Sequence, residues 1–230
     1  MADEVFSRTA ALLGEAAFAR LRAGQAIVVG VGGVGGWCAE ALARSGVGRL
    51  VLIDDDVVVP SNLNRQCCAL ASTVGRAKVE AMRERLLAID PALDVIALRR
   101  RWEESTTLER LPVDLSAPTV VIDAIDSVTC KAQLVLSVAA AKVPLLSSLG
   151  AAKRLDPTKV QLKRFSKVEG DGLARALRQR FKKLGRFPAA DFTCAVSAEQ
   201  AAAIGSLGSM MPVTAAFGMA LASAAIARFL

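Results

Sequence analysis

The 230 residues contain no histidine, and the five cysteines (Cys38, Cys67, Cys68, Cys130 and Cys194) form no CxxC pair. These two absences argue against a zinc site of ordinary ligand spacing. They also leave no imidazole for general-base chemistry. An odd number of scattered thiols fits a reducing compartment better than a disulfide framework. The opening Met-Ala-Asp-Glu is acidic and lacks a basic, apolar leader, so cytoplasmic residence is expected. Charge is scarce at the other end: residues 212–230 (PVTAAFGMALASAAIARFL) hold only Arg228. That length allows a membrane span. Its alanines, with Thr214, Gly218 and Ser223, favour a helix packed on a sheet or a dimer mate, and peripheral membrane contact stays open.

What the chain does have is a glycine-rich turn in a telling place. Residues 26–31 (AIVVGV) read as a short buried parallel strand. Gly30, Gly32, Gly33 and Gly35 follow within one turn, where bare backbone N–H groups and a helix N-terminus can approach phosphate. Residues 50–53 (LVLI) form the next strand, and Asp54 stands 24 residues after Gly30. In dinucleotide folds an acid at roughly 20 residues meets a ribose hydroxyl. A glycine turn alone is weak; with strand, helix and acid in place it indicates a nucleotide site.

Beyond the acids Asp54 and Asp56 come Ser61-Asn62-Leu63-Asn64-Arg65-Gln66, then Lys78 in a helix over 75–89, then VIDAIDS at 121–127. Together with SRTAALLGE at 7–15, this set resembles the ubiquitin-activating superfamily of adenylyltransferases, which includes the bacterial ThiF and MoeB proteins. The resemblance covers residues 6–148. It implies a Rossmann-like α/β fold with ATP and Mg2+ as cofactors, and a homodimer. It places Gly30, Gly32, Gly33, Gly35, Asp54, Asp56, Asn62, Asn64, Gln66 and Asp123 around the nucleotide. It also puts Arg65 and Lys78 on the phosphates, Asp126 on the metal, and Arg8 in the partner subunit's site. The bland alternatives are a structural acid at Asp123 and a solvated terminal arginine at Arg8. The chemistry agrees with the set, since moving AMP to a carboxylate needs cations on phosphates and an acid for magnesium, but no activated water.

The remaining pattern predicts a helix over 7–21, an amphipathic helix over 75–89 with Val79, Met82, Leu86 and Leu87 on one face, and a strand over 94–98. Arg99-Arg100-Arg101-Trp102 reads as a solvated loop. A strand at 119–123, a helix at 129–141 and a strand at 143–147 complete a doubly wound, mostly parallel sheet. Residues 1–150 are thus expected to form the ATP-binding part. Residues 151–230 form a basic extension ending in an apolar helix, the two making one globular unit.

Charge in that extension is concentrated. Between 153 and 186 lie 12 Lys or Arg against three acids, a local +9 where the whole chain carries +7. A strand (158–165) and a helix (172–184) carry it, and such density suits a polyphosphate backbone, here tRNA. SSLGAAKRLDPTKVQL and GLARALRQRFKKLG are similar to the superfamily branch that dehydrates threonylcarbamoyladenosine in tRNA. That resemblance implies ATP activation of the threonyl carboxylate beside the anticodon. The substrate's own nitrogen then closes a hydantoin-type ring and expels AMP, with no enzyme nucleophile required. Cys194 matches a cysteine of that branch and reads as a small buried structural residue, and Cys67 and Cys68 as packing. A cysteine desulfurase or other sulfur acceptor stays open as a partner. The chain also reads as shorter than branch members across 186–208. The rival activity is activation of a ubiquitin-like sulfur carrier's C-terminus, and the rival class is an NAD(P)-binding or non-catalytic tRNA-binding module.

Overall fold

The structure is a computed structural model that describes residues 2–205 and 208–230. In chain order the elements are α1 (Ala2–Val5), α2 (Ser7–Leu13), α3 (Glu15–Ala23), β1 (Gln25–Val29), α4 (Gly35–Ser45), β2 (Arg49–Ile53), α5 (Lys78–Leu87), β3 (Asp94–Leu98), β4 (Thr119–Asp123), α6 (Val128–Ala140), β5 (Leu145–Ser148), β6 (Val160–Arg164), α7 (Gly172–Leu184), β7 (Thr193–Ser197) and α8 (Met211–Phe229). The strands join in one sheet in the order β3-β2-β1-β4-β5-β7-β6. All pairings are parallel except β6 with β7, which is antiparallel.

Both faces of the sheet are covered, which is why its central strands are apolar without interruption. Ala26 and Val28 of β1 join Leu50 and Leu52 of β2 in the core under α4, α5 and α8. Ile27, Val29, Val51 and Ile53 point the other way, into the core under α6 and α7. The chain builds β1, β2 and β3 outward, then crosses back to place β4 on β1's other side. That reversal opens a crevice at the carboxyl ends of β1 and β4, where ligands bind in doubly wound sheets.

Two expectations change. The helix predicted over 7–21 is divided by Gly14 (φ 79°, ψ 152°) into α2 and α3. The basic segment is also less free than its composition implied. Arg154 is buried against Asp171. Arg178 donates to the carbonyls of Phe165 and Val168, at 2.7 Å each, and its guanidinium lies 4.8 Å over the Phe165 ring. Lys159, Lys163, Arg164, Lys167, Arg175, Lys182, Lys183 and Arg186 remain exposed.

α8 is long and apolar enough to cross a membrane, yet half of its apolar window is buried inside the fold. Phe217, Leu221 and Ala225 enter the same core as α4. At the crossing, Gly218 lets the two backbones meet: a Cβ there would sit 2.6 Å from the Val34 carbonyl and 2.9 Å from the Cys38 nitrogen. Gly218→Val should therefore destabilise the protein by about 1–3 kcal/mol through overpacking. An unchanged urea midpoint would show that α8 does not need this approach.

Candidate active site

A cleft of about 620 Å³ opens at the crevice, within the range of small-molecule and cofactor sites. Its floor is the glycine turn. Gly30 has φ +90°, and a Cβ there would meet the Ala124 carbonyl at 2.7 Å, so no side chain is tolerated. Above Gly32 the nearest atom to an added Cβ is 3.8 Å away, so the turn is open on that side. α4 starts immediately after, with no side chain capping its N-terminus. Uncapped N–H groups at such an end, beside the cleft-lining Gly32, Gly33 and Val34, form an anion cradle.

Asp54 is anchored at the end of β2. Its carboxylate accepts from the Val31 N–H at 2.7 Å and the Asp56 N–H at 2.9 Å. Burial pushes its pKa up, opposed by the nearby Lys78 charge. Lys78 is the first residue of α5, where a cation opposes the helix dipole. Its ammonium is buried and held 2.7 Å from the exposed Asp56 carboxylate. Arg65 reaches the cleft with Nη1 donating to the Ser61 carbonyl and to Asn64 Oδ1, at 2.8 Å each. Gln66 lines the cleft too, and its buried Oε1 accepts no hydrogen bond among the described residues. Asp126 is exposed on the cleft wall after β4.

Gly30, Gly32, Gly33, Asp54, Asp56, Arg65, Gln66, Lys78 and Asp126 therefore share one cleft. Five sequence expectations do not. Gly35 lies behind the turn, where a Cβ would stand 1.8 Å from the Gly30 carbonyl, so it packs helix on strand. Asn62 is buried and accepts from the Val59 N–H at 3.2 Å. Asn64 ties its loop to the Ser209 carbonyl at 2.8 Å. Both asparagines shape the Arg65 loop from outside the cleft lining. Asp123 is wholly buried and pairs with Lys131 Nζ at 2.6 Å, while the Ser147 hydroxyl donates to the same oxygen at 2.6 Å. It is the structural acid, not a nucleotide contact. Arg8 is exposed on α2 and absent from its own subunit's cleft.

The sequence reading missed Arg100, Arg101, Trp102, Lys131 and Arg154. The first three follow β3 and line the cleft; the stretch is a loop with Arg100 and Arg101 exposed, as read, but Trp102 is buried. Its position after the carboxyl end of a parallel strand was the available signal. For Lys131 the signal was one charge in the otherwise apolar α6.

The donor set suits ATP: an open glycine turn, an uncapped helix, an unpaired buried acceptor at Gln66 and two cations. A single exposed carboxylate at Asp126 suits Mg2+, which binds through one or two carboxylates plus substrate phosphates. Among the described residues, the acids close enough to share an ion are Asp54, Asp55 and Asp56, and Asp126 stands outside that group.

All five thiols are buried. Burial raises the Cys38 and Cys194 pKa values far above the ordinary thiol range and that of Cys67 to about 12. Such thiols are poor nucleophiles.

A doubly wound sheet with this turn, an anchored acid at the end of β2 and a pair of cations in one cleft is a nucleotide-binding fold of the adenylating kind. The chain belongs to the ThiF family, whose profile matches residues 6–229. It is 42% identical over 180 residues to the tRNA threonylcarbamoyladenosine dehydratase of Bacillus subtilis, covering 78% of this chain and 70% of that protein. The Escherichia coli enzyme of the same name is 42% identical over 177 residues, covering 77% of this chain and 65% of that one. The match thus spans about two thirds of these relatives. The solved E. coli dehydratase in complex with ATP superposes with a TM-score of 0.90 at 37% identity, over 99% of this chain and 94% of that one. The E. coli molybdopterin-synthase adenylyltransferase is more distant, 32% identical over 195 residues, covering 85% of this chain and 72% of that protein.

Lys131→Met should cost about 3–5 kcal/mol by leaving the Asp123 carboxylate buried and unpaired. Lys131→Met with Asp123→Asn should recover much of that loss in thermal or urea unfolding. Equal losses in the single and double variants would show that the pair is not what holds these elements.

Proposed function

We propose that this protein is an ATP-dependent tRNA threonylcarbamoyladenosine dehydratase. The observation that carries the reading is the near-complete superposition on the ATP-bound E. coli enzyme, with a cleft supplying a turn, a ribose acid and cations in the right order. Asp54 holds the ribose hydroxyls, and the turn with the α4 N-terminus receives the phosphates. Arg65 and Lys78 neutralise the charge that develops as pyrophosphate leaves. Asp126 would hold Mg2+, which would supply charge neutralisation at the phosphates.

The threonyl carboxylate oxygen attacks the α-phosphorus, and the bond to the departing pyrophosphate breaks. The resulting acyl-adenylate carries AMP as a good leaving group. The substrate's own nitrogen then attacks the acyl carbon, loses its proton and releases AMP, for a net loss of one water from the nucleoside. Both reacting groups lie on one molecule, so positioning replaces a protein nucleophile. The exposed basic residues of β6 and α7 provide the surface for the tRNA backbone. Cytoplasmic residence and a homodimer with Arg8 reaching the partner's phosphates complete the reading. The sulfur-carrier alternative is supported by the lower identity to the molybdopterin-synthase adenylyltransferase and finds no accessible thiol.

The first test is nucleoside mass spectrometry on tRNA bearing threonylcarbamoyladenosine after incubation with protein and Mg-ATP. Loss of one water with stoichiometric AMP is expected, and Asp126→Ala should reduce turnover at least about 100-fold while keeping the melting temperature. An unchanged nucleoside, with pyrophosphate exchange dependent on a Gly-Gly-ended carrier, would transfer the protein to the other branch. Mixed dimers of Arg8→Ala and Lys78→Ala subunits should regain activity at one site of two. Verified heterodimers that stay inactive would remove the trans role of Arg8.

A further inference from the structure

The cleft continues beyond the groups assigned to ATP, along a wall made by residues 148–154 and the start of α7. Arg154 stands in that wall with only 4% of its surface exposed. Its Nε donates to the Gly150 carbonyl at 2.8 Å, and its Nη2 lies 3.3 Å from Asp171 Oδ2. Its Nη1 is buried and has no partner among the described residues. Asp171 is fixed in turn: it accepts from the Ala174 N–H at 2.9 Å, capping α7, and from the Gly150 N–H at 3.2 Å. A guanidinium nitrogen taken out of water without an acceptor is costly. Each such group in a folded protein calls for an explanation, and a ligand in the adjoining cleft supplies one.

The backbone beside it carries a second cost. Lys153 has φ 63°, in the left-handed region that residues other than glycine seldom occupy. Its conformation is held from the facing loop. The Lys153 N–H donates to the Gly208 carbonyl at 2.8 Å, the Ala202 N–H donates to the Lys153 carbonyl at 2.8 Å, and Lys153 Nζ donates to the Ile204 carbonyl at 2.6 Å. The turn that aims Arg154 at the cleft wall is therefore locked from two sides.

The sheet fixes what Arg154 can meet. Asp54 follows β2, the glycine turn follows β1, Asp126 follows β4 and Arg154 comes after β5, and these four strands are adjacent in that order. Ribose acid, phosphate cradle, Asp126 and Arg154 thus succeed one another along the crevice. With strands about 4.8 Å apart, β5 lies roughly 14 Å from β2. Arg154 is past Asp126, on the side of the crevice away from the Lys78 cation, and leaves room there for the group to be adenylated.

We propose that Arg154 binds the carboxylate of the threonylcarbamoyl group and selects modified over unmodified tRNA. The proposal rests on the dehydratase reading above. With Nε on Gly150 and Nη2 on Asp171, Nη1 is left to donate one charge-assisted hydrogen bond to a carboxylate, in a direction that the planar guanidinium fixes and a lysine ammonium does not. Adenylation turns the carboxylate into an uncharged acyl group and leaves the negative charge on the AMP phosphate, so the contact is strongest before the reaction and weaker after it. Arg154 accordingly governs substrate selection more than ring closure.

The test compares binding of two tRNAs that differ only in the threonylcarbamoyl group, with a non-hydrolysable ATP analogue present. Wild-type protein should prefer the modified tRNA. Arg154→Lys, which keeps a cation beside Asp171, should lose that preference by about 10-fold or more, as expected for one charged hydrogen bond. Its affinities for unmodified tRNA and for the ATP analogue should not change. Arg154→Met with Asp171→Asn removes both charges and keeps a capping side chain on α7, so the loss of preference is read again without a lone buried ion. Preference retained in both variants overturns the proposal. So does a fall in ATP-analogue affinity with preference intact, which would give Arg154 to the nucleotide. Wild-type protein that dehydrates the nucleoside yet binds both tRNAs equally also overturns it, leaving the function standing. Wild-type protein that neither dehydrates nor discriminates ends both.

Discussion

Beneath the cleft a lysine ammonium and a carboxylate, both sealed from solvent, face each other at 2.6 Å. Lys131 belongs to α6 and Asp123 ends β4, while Ser147 and the Ser148 carbonyl bring in β5. The other Asp123 oxygen accepts from the Ile125 N–H at 3.1 Å, shaping the turn that leads to Asp126. A buried pair of this kind contributes little net stability relative to an apolar pair of equal volume, because desolvation offsets the attraction. Its effect is to forbid alternatives. Any arrangement that separates β4, α6 and β5 strands a charge in the core, so the wall from Asp126 to Arg154 has one geometry.

The cations above that floor are organised by the same means. Lys78 is tied to Asp56, Arg65 to Ser61 and Asn64, and Arg154 to Asp171. Each is held at one edge by an internal acceptor. Positive groups placed in advance need no reorganisation when charge moves in the transition state. Asp56 is exposed while its lysine is buried, so the pair is anchored from the solvent side and its ammonium stays near the phosphate cradle.

Much of this was legible in the sequence where the cause is local. β3, β4 and α7 fall on the residues that their patterns predict, and the glycine turn sits between strand and helix as read. What escaped was set by partners distant in the chain. Gly35, Asn62, Asn64 and Asp123 belong to the motif but serve it as packing, loop ties and a buried counter-ion. Their neighbours, not their spacing, decide this. Arg154 and Arg178 were indistinguishable from other cations in a run of charge until the fold placed Asp171 and the Phe165 ring beside them. Arg100 to Trp102 looked like a loop, which it is; that the loop lines the cleft follows only from strand order.

α8 has a consequence for how the protein is made. The helix supplies Thr214 to the cleft lining and Phe217, Leu221 and Ala225 to the core shared with α4. The glycine turn and Asp54 are synthesised well before residues 211–229. Until residues 211–229 emerge, α4 packs on the sheet and α5 but lacks the apolar neighbour that α8 supplies. The glycine turn and the α8 residues that back α4 are thus far apart in the chain, and the cleft gains its Thr214 wall only once residues 211–229 are in place.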